Sequence, residues 1–174
     1  PLHLAAALGW HSFFRGHLGT GRARLDRTFA AAGDAPPDDA LAAAAVAAGV
    51  LAWTVGDVGA AQRHLQRGFA ISRTGNDRRR TAVAGSFLGH IARTEGRFGD
   101  AATHHAHAAE LYRQIPSVSG YAWTRYDLGL LALRSGDRAA AVRELGDGLA
   151  LFRKLDYGWA IGRCAWALAT ARLY

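Results

Sequence analysis

The chain has 174 residues, half of them apolar and a fifth charged, which excludes a disordered polyelectrolyte and leaves enough apolar surface for one buried core. A mean hydropathy of -0.03 with charges scattered along the chain excludes a bundle of membrane spans. Lys plus Arg is 21 and Asp plus Glu is 14, a net charge of +7 that permits attraction to nucleic acid.

Along the chain, apolar residues recur three and four apart, as in Val46, Val50 and Trp53 or Leu65, Phe69 and Ser72, and strand alternation is absent. The predicted helices are Leu2 to Arg15, Gly19 to Ala32, Asp39 to Val55, Val58 to Thr74, Arg79 to Thr94, Phe98 to Gln114, Ser119 to Ser135, Arg138 to Lys154 and Tyr157 to Leu173. Gly56-Asp57 and Gly136-Asp137 read as a helix stop followed at once by a helix start. Glycine closes one helix in the left-handed region, and aspartate accepts from the free N–H groups of the next. Turns between hairpins are expected at Gly33 to Asp38, which contains Pro36-Pro37, at Gly75 to Arg78, at Pro116 to Val118 and at Leu155-Asp156. None is long enough to be an interdomain linker.

A period of 40 residues organises these helices. Gly9, Gly49, Gly89 and Gly129 share one register, and Gly16, Gly56, Gly96 and Gly136 a second. Small residues recur at Ser12, Ala52, Ala92 and Ala132 and at Gly21, Ala61, Ala101 and Ala141. Large ones recur at Leu25, Leu65 and Leu145, with His105 taking the same place in the third unit. The expected fold is all-α, a right-handed α-solenoid of helical hairpins in which each hairpin is stabilised by its neighbours. It comprises one domain over residues 1–174, with repeats at about 1–35, 36–77, 78–117 and 118–156 and a terminal helix at 157–174. A HEAT-like stack also has a period that includes 40, and the order of small residues argues against it.

That order resembles the tetratricopeptide repeat: a Leu-Gly pair, a small residue three on, a turn glycine, an alanine, then a large apolar and a small residue. The clearest copies are Leu88-Gly89, Ala92, Gly96, Ala101 and Ala108, and Leu128-Gly129, Ala132, Gly136, Ala141, Leu145 and Gly148. The departures are a period of 40 rather than 34, a missing proline after the second helix, and Ala45, Gly85 and Arg125 where the repeat often has tryptophan. Leu8-Gly9-Trp10 with Phe13-Phe14-Arg15-Gly16-His17-Leu18, and the run from Leu149 to Gly162, resemble the C-terminal sensor region of bacterial signal-transduction ATPases that act as LuxR- or SARP-type transcriptional regulators. Gly75-Asn76-Asp77-Arg78-Arg79 is a weaker copy of part of that run. The resemblance implies a non-catalytic module joined to ATPase and DNA-binding domains, with any nucleic-acid contact made by those domains.

In such solenoids the first helix of each hairpin lines a concave groove. The register places His3, Trp10, Phe13 and Phe14 there from the first unit, Val46, Val50 and Trp53 from the second, and Ser86, His90 and Arg93 from the third. The fourth supplies Trp123, Tyr126, Leu130 and Arg134, and the terminal helix Arg163 and Trp166; Trp159 alone of the five tryptophans falls outside. Aromatics suit a small effector, a peptide or a protein partner, and Arg93, Arg134 and Arg163 suit an anionic or hydroxylated one. The same aromatics at helical spacing also read as core.

Other clusters carry blander readings. His104 and His107 lie three apart on one helical face, with His64 and Glu144 in the same register as His104, but zinc needs three or four converging ligands; no metal and no cofactor is expected. Arg73 with Arg78-Arg79-Arg80 is the densest basic run, contains Asp77, lacks neighbouring aromatics and reads as a solvated helix end. Asp147 reads as solvent-facing. Lys154, the only lysine, is followed by Leu155, so no phosphate-cradling Gly-Lys-Ser/Thr loop exists, and neither Gly-x-Ser-x-Gly nor His-Glu-x-x-His occurs. An enzyme active site is not expected. Cys164 has no second cysteine to pair with, so a cytoplasmic location is expected. Pro1 to Leu8 lack the charged start and apolar run of a signal peptide, and without any methionine the sequence reads as an excerpt from a longer chain. Three functions remain: a ligand- or protein-binding sensor of a regulator, a constitutive protein scaffold, and an accessory module of an enzyme.

Overall fold

The computed structural model describes residues 1–33 and 36–173. Residues 34–35, inside the first predicted inter-hairpin turn, and residue 174, at the end of the predicted terminal segment, lie outside the described residues. Among those described, the chain forms α1 (Leu2–Phe14), α2 (Leu18–Ala32), α3 (Asp39–Thr54), α4 (Val58–Thr74), α5 (Arg78–Thr94), α6 (Phe98–Arg113), α7 (Val118–Ser135), α8 (Arg138–Lys154) and α9 (Gly158–Leu173), and no strand. The predicted helices are all present, with ends displaced by one residue where the two readings differ. Two compact units divide the chain, Pro1–Ile91 and Ala92–Tyr174, and α5 runs through the boundary.

The turns inside the second and fourth hairpins follow from two residues each. Gly56 and Gly136 adopt φ of +84° and +78°, a region closed to most side chains. From there, the N–H of Asp57 donates to the Ala52 carbonyl at 2.9 Å and that of Asp137 to Ala132 at 2.9 Å, closing the first helix. The same aspartates open the second helix, since their side chains accept from the N–H groups of Ala60 at 3.0 Å and Ala140 at 2.9 Å. Between hairpins, Asn76 and Asp156, two periods apart, take the left-handed position at φ of 56° and 53°. Short polar side chains tolerate that conformation better than other non-glycine residues. Asn76 lies within the turn expected at Gly75 to Arg78 and supplies its left-handed residue.

Packing inside each unit repeats one contact. A Cβ on Gly49 would stand 2.5 Å from Leu65 Cγ, and one on Gly129 would stand 2.5 Å from Leu145 Cγ; both leucines are fully buried. Glycine on the first helix thus lets the leucine of the second seat against its backbone, and close packing of this kind makes even one added methyl costly. His105 fills the corresponding place in α6 and is fully buried, as the register requires. In the first unit α3 packs against α1, α2 and α4, so every residue from Leu41 to Ala52 is buried. In the second, α8 packs against α7 and α9, around a core that includes Ala122, Leu145, Phe152 and Cys164.

Candidate functional site

Within the first unit, α1 presents Trp10, Phe13 and Phe14 as a mutually packed set. Trp10 lies edge-on to Phe13 at 5.9 Å between centroids and stacked with Phe14 at 6.3 Å. Trp10 and Phe13 are partly buried against the core, while Phe14 is 78% exposed. On α3, Trp53 stacks with His90 of α5 at 6.1 Å, and Phe87 meets His90 edge-on at 5.5 Å. Trp10, Phe13, Trp53 and Phe87 pack on one apolar cluster with Val50 and Ile91. Three residues expected on the groove are buried instead. Val46 points at α4, where a Cβ on Gly68 would come within 2.6 Å of it; Val50 is fully buried; Ser86 donates to the Ala82 carbonyl at 2.9 Å. Covering α3 on several sides leaves no free face at Val46 and Val50. His3 stands apart, exposed, with Nε2 3.9 Å from Asp39 Oδ2.

The second unit builds two distinct features from first helices. One is an aromatic platform. Trp123 of α7 meets Phe152 at 4.7 Å and lies 5.1 Å from Trp159 of α9, tilted by 34°. Arg163, one turn after Trp159, sits 5.5 Å over both Trp159 and Tyr126, and its Nη2 donates to the Tyr126 hydroxyl oxygen at 3.3 Å. Tyr126 is buried and holds Arg163 from beneath; the surface is made by Trp123, Trp159 and Arg163. Trp159, excluded by the register, thus belongs to the platform. Its spacing of four from Arg163 and seven from Trp166 puts all three on one helical face, a signal already present in the sequence. Trp166 is 72% exposed on that face.

The other feature is a pocket of about 630 Å³ lined by Arg93, Leu130, Leu133, Arg134, Arg138 and Thr170, among others. An adjoining hollow of about 400 Å³ shares Arg93, Leu130 and Arg134 and adds Phe98. The Arg134 guanidinium lies 4.1 Å over the Phe98 ring, which helps to hold it in place. Of the three arginines expected in one groove, Arg93 and Arg134 lie together, Arg163 belongs to the platform, and Arg138 joins the pair from the start of α8.

Residues 80–154, from the first turn of α5 to the end of α8, match the tetratricopeptide repeat. The chain is similar in structure to BtubC (BKLC) from P. vanneervenii, at TM-score 0.77 and 16% identity, over 96% of this chain and 70% of that one. It is also similar to two structures of a putative kinesin light chain of Podosopora anserina with nearly identical TPR-like repeats, one of them carrying a single substitution, each at TM-score 0.73 and 14% identity, over 98% of this chain and 84% of theirs. A search of curated proteins gave no match. The fold is a TPR-like array of helical hairpins, a class whose usual role is to hold protein partners rather than to catalyse.

The remaining candidates resolve as packing and surface pairing. In the TPR-like second helices, His64 stacks on Phe29 at 5.1 Å, and burial pushes both His64 and His104 below the usual histidine range. The corresponding Glu144 is pushed up by burial and pairs with Arg125 at 3.0 Å. Asp147 is exposed but accepts from the same Arg125. Within the basic run, Arg80 pairs with Asp39 and Asp77, and Arg73 lies 5.9 Å over Phe69. Cys164 is buried, its thiol pushed up to about 11 by burial, which makes it a poor nucleophile at neutral pH. No helix among the described residues is long and apolar enough to cross a membrane.

Proposed function

We propose that residues 1–174 act as one non-catalytic recognition domain of a larger cytoplasmic protein, a transcriptional regulator of the signal-transduction ATPase type, and that the domain senses by binding on its first-helix faces. The observation that carries binding is the platform of the second unit, where Trp123, Trp159 and Arg163 are held in place by Phe152 and Tyr126 yet remain open to solvent. Rigid aromatic surface with a fixed guanidinium is what recognition of a peptide or flat effector uses, because little side-chain entropy is lost on contact. The regulator context is supported by Leu8 to Leu18 and Leu149 to Gly162, which keep the pattern of that sensor class in register with the 40-residue repeat. Direct contact with nucleic acid is assigned to other domains by the resemblance, and within the basic run Arg80 is paired with Asp39 and Asp77.

A ligand shifts the parent protein only if it prefers one of its arrangements, typically by about 1–3 kcal/mol. A thermal-shift screen of peptides, nucleotides and sugars against the wild-type chain, Trp53→Ala and Trp159→Ala tests the reading. Trp159 is a better probe than Trp123, because it is 64% exposed and its loss leaves no cavity. Ligands that stabilise the wild type and fail on Trp159→Ala support the platform; ligands that act equally on both sink it.

A further inference from the structure

We infer that the Arg93, Arg134 and Arg138 pocket of the second unit is a binding site for the phosphate group of a small phosphorylated molecule. Among the described residues its lining holds three guanidinium groups and no carboxylate. Five arginines elsewhere in the chain are paired with carboxylates: Arg22 with Asp57, Arg80 with Asp39 and Asp77, Arg97 with Glu95 and Asp100, Arg113 with Glu110, Arg125 with Glu144 and Asp147. The pocket arginines have no such partner among the described residues. The buried Nε of Arg93 has no hydrogen-bond acceptor, and a buried guanidinium N–H left unpaired is costly unless an anion completes it.

Two of the three arginines are positioned by something other than an anion. Arg134 is held 4.1 Å over the Phe98 ring, a contact that leaves its N–H donors unused. Arg138 donates through Nη2 to the Arg172 carbonyl at the end of α9, which holds the side chain and occupies one of its five N–H donors. Leu130 and Leu133 supply apolar wall between the charges. A carboxylate brings one charge and two oxygens and would leave most of this donor set unused. A phosphate monoester brings a charge of about -1.5 to -2 and three acceptor oxygens at neutral pH, which matches three guanidinium forks. The volume of about 630 Å³ lies within the range of small-molecule sites.

This inference deepens the proposed function and rests on its premise that first-helix faces bind ligands, but it uses different residues. Calorimetric titration of the 174-residue chain with inorganic phosphate, glycerol 3-phosphate, a phosphoserine hexapeptide and acetate, at fixed ionic strength, tests it. Phosphate and glycerol 3-phosphate are expected to bind with acetate inert, and Arg134→Ala and Arg138→Ala each to weaken them about tenfold or more. Arg134→Lys, which keeps the charge and loses the flat fork, is expected to fall between. Arg143→Ala removes the same charge from an exposed position outside the pocket and should change nothing. Trp159→Ala should bind phosphate as the wild type does, so platform and pocket fail separately. Phosphate binding no tighter than acetate, or weakened as much by Arg143→Ala as by Arg134→Ala, overturns the inference. A phosphoserine peptide that binds where glycerol 3-phosphate does not overturns the small-molecule assignment.

Discussion

The two units are written in one register and spend their first helices differently. In the first, α3 is a run of small apolar residues, with Leu41 to Ala52 all buried, so its aromatic neighbours Trp10, Phe13 and Trp53 are drawn partly into the core. In the second, α7 buries Thr124 and Asp127 but leaves Arg134 exposed and Trp123 partly so, and neighbouring rings and guanidinium groups frame an open platform and a pocket. A helix apolar on all sides is covered on all sides, whereas α7 keeps a partly open face at Trp123, Leu130 and Arg134. The repeat sets where side chains stand, and their chemistry decides whether the place becomes core or site.

That equivalence of register can be broken by paired substitutions. Leu65→Ala and Leu145→Ala should each cost about 2–5 kcal/mol in chemical denaturation, since both side chains are fully buried against a glycine backbone. Clearly unequal losses would show that the two units do not pack alike. Gly49→Ala and Gly129→Ala come next, at about 1–3 kcal/mol each, because the added methyl would meet leucine at 2.5 Å in both. The smallest effect concerns pH and separates positions that share one register. His64 has a folded pKa below its unfolded value because burial disfavours its charge, so the unfolded chain binds protons first as pH falls below 6.5, and stability drops with acidification until the folded group titrates. Glu144 is raised by burial, so the unfolded chain releases its proton first as pH rises above 4.5, and stability drops with rising pH until the folded group ionises. In melting curves against pH, His64→Leu should flatten the acid-side loss, and Glu144→Gln should remove a decline of the opposite sign.

Much of the site was legible and part was misplaced. The register found Arg93 and Arg134, which share the pocket, and Trp123 and Arg163, which share the platform. It missed Trp159 because the residue 40 earlier is Ser119, outside the stripe of Trp123 and Tyr126 that placed Arg163 and Trp166, although its spacing to Arg163 and Trp166 marks the face. It missed Arg138 because the residue begins a second helix, and only packing brings the start of α8 beside α7 and the end of α9. It put Val46 and Val50 on an open face because a sequence shows which residues share a stripe and not how many neighbours cover it.

By itself the sequence determined the helices, the hairpin turns and the class of fold. Those depend on local chemistry repeated every 40 residues: glycine where φ must be positive, aspartate where N–H groups need an acceptor, and glycine opposite leucine where two backbones approach. Only the tertiary structure decided which aromatics were core and which were surface, which arginines met a carboxylate, and that Arg93, Arg134 and Arg138 share a pocket without one. Burial and charge pairing depend on what lies across a helix interface, and partners that come from separate helices are set by packing rather than by spacing along one.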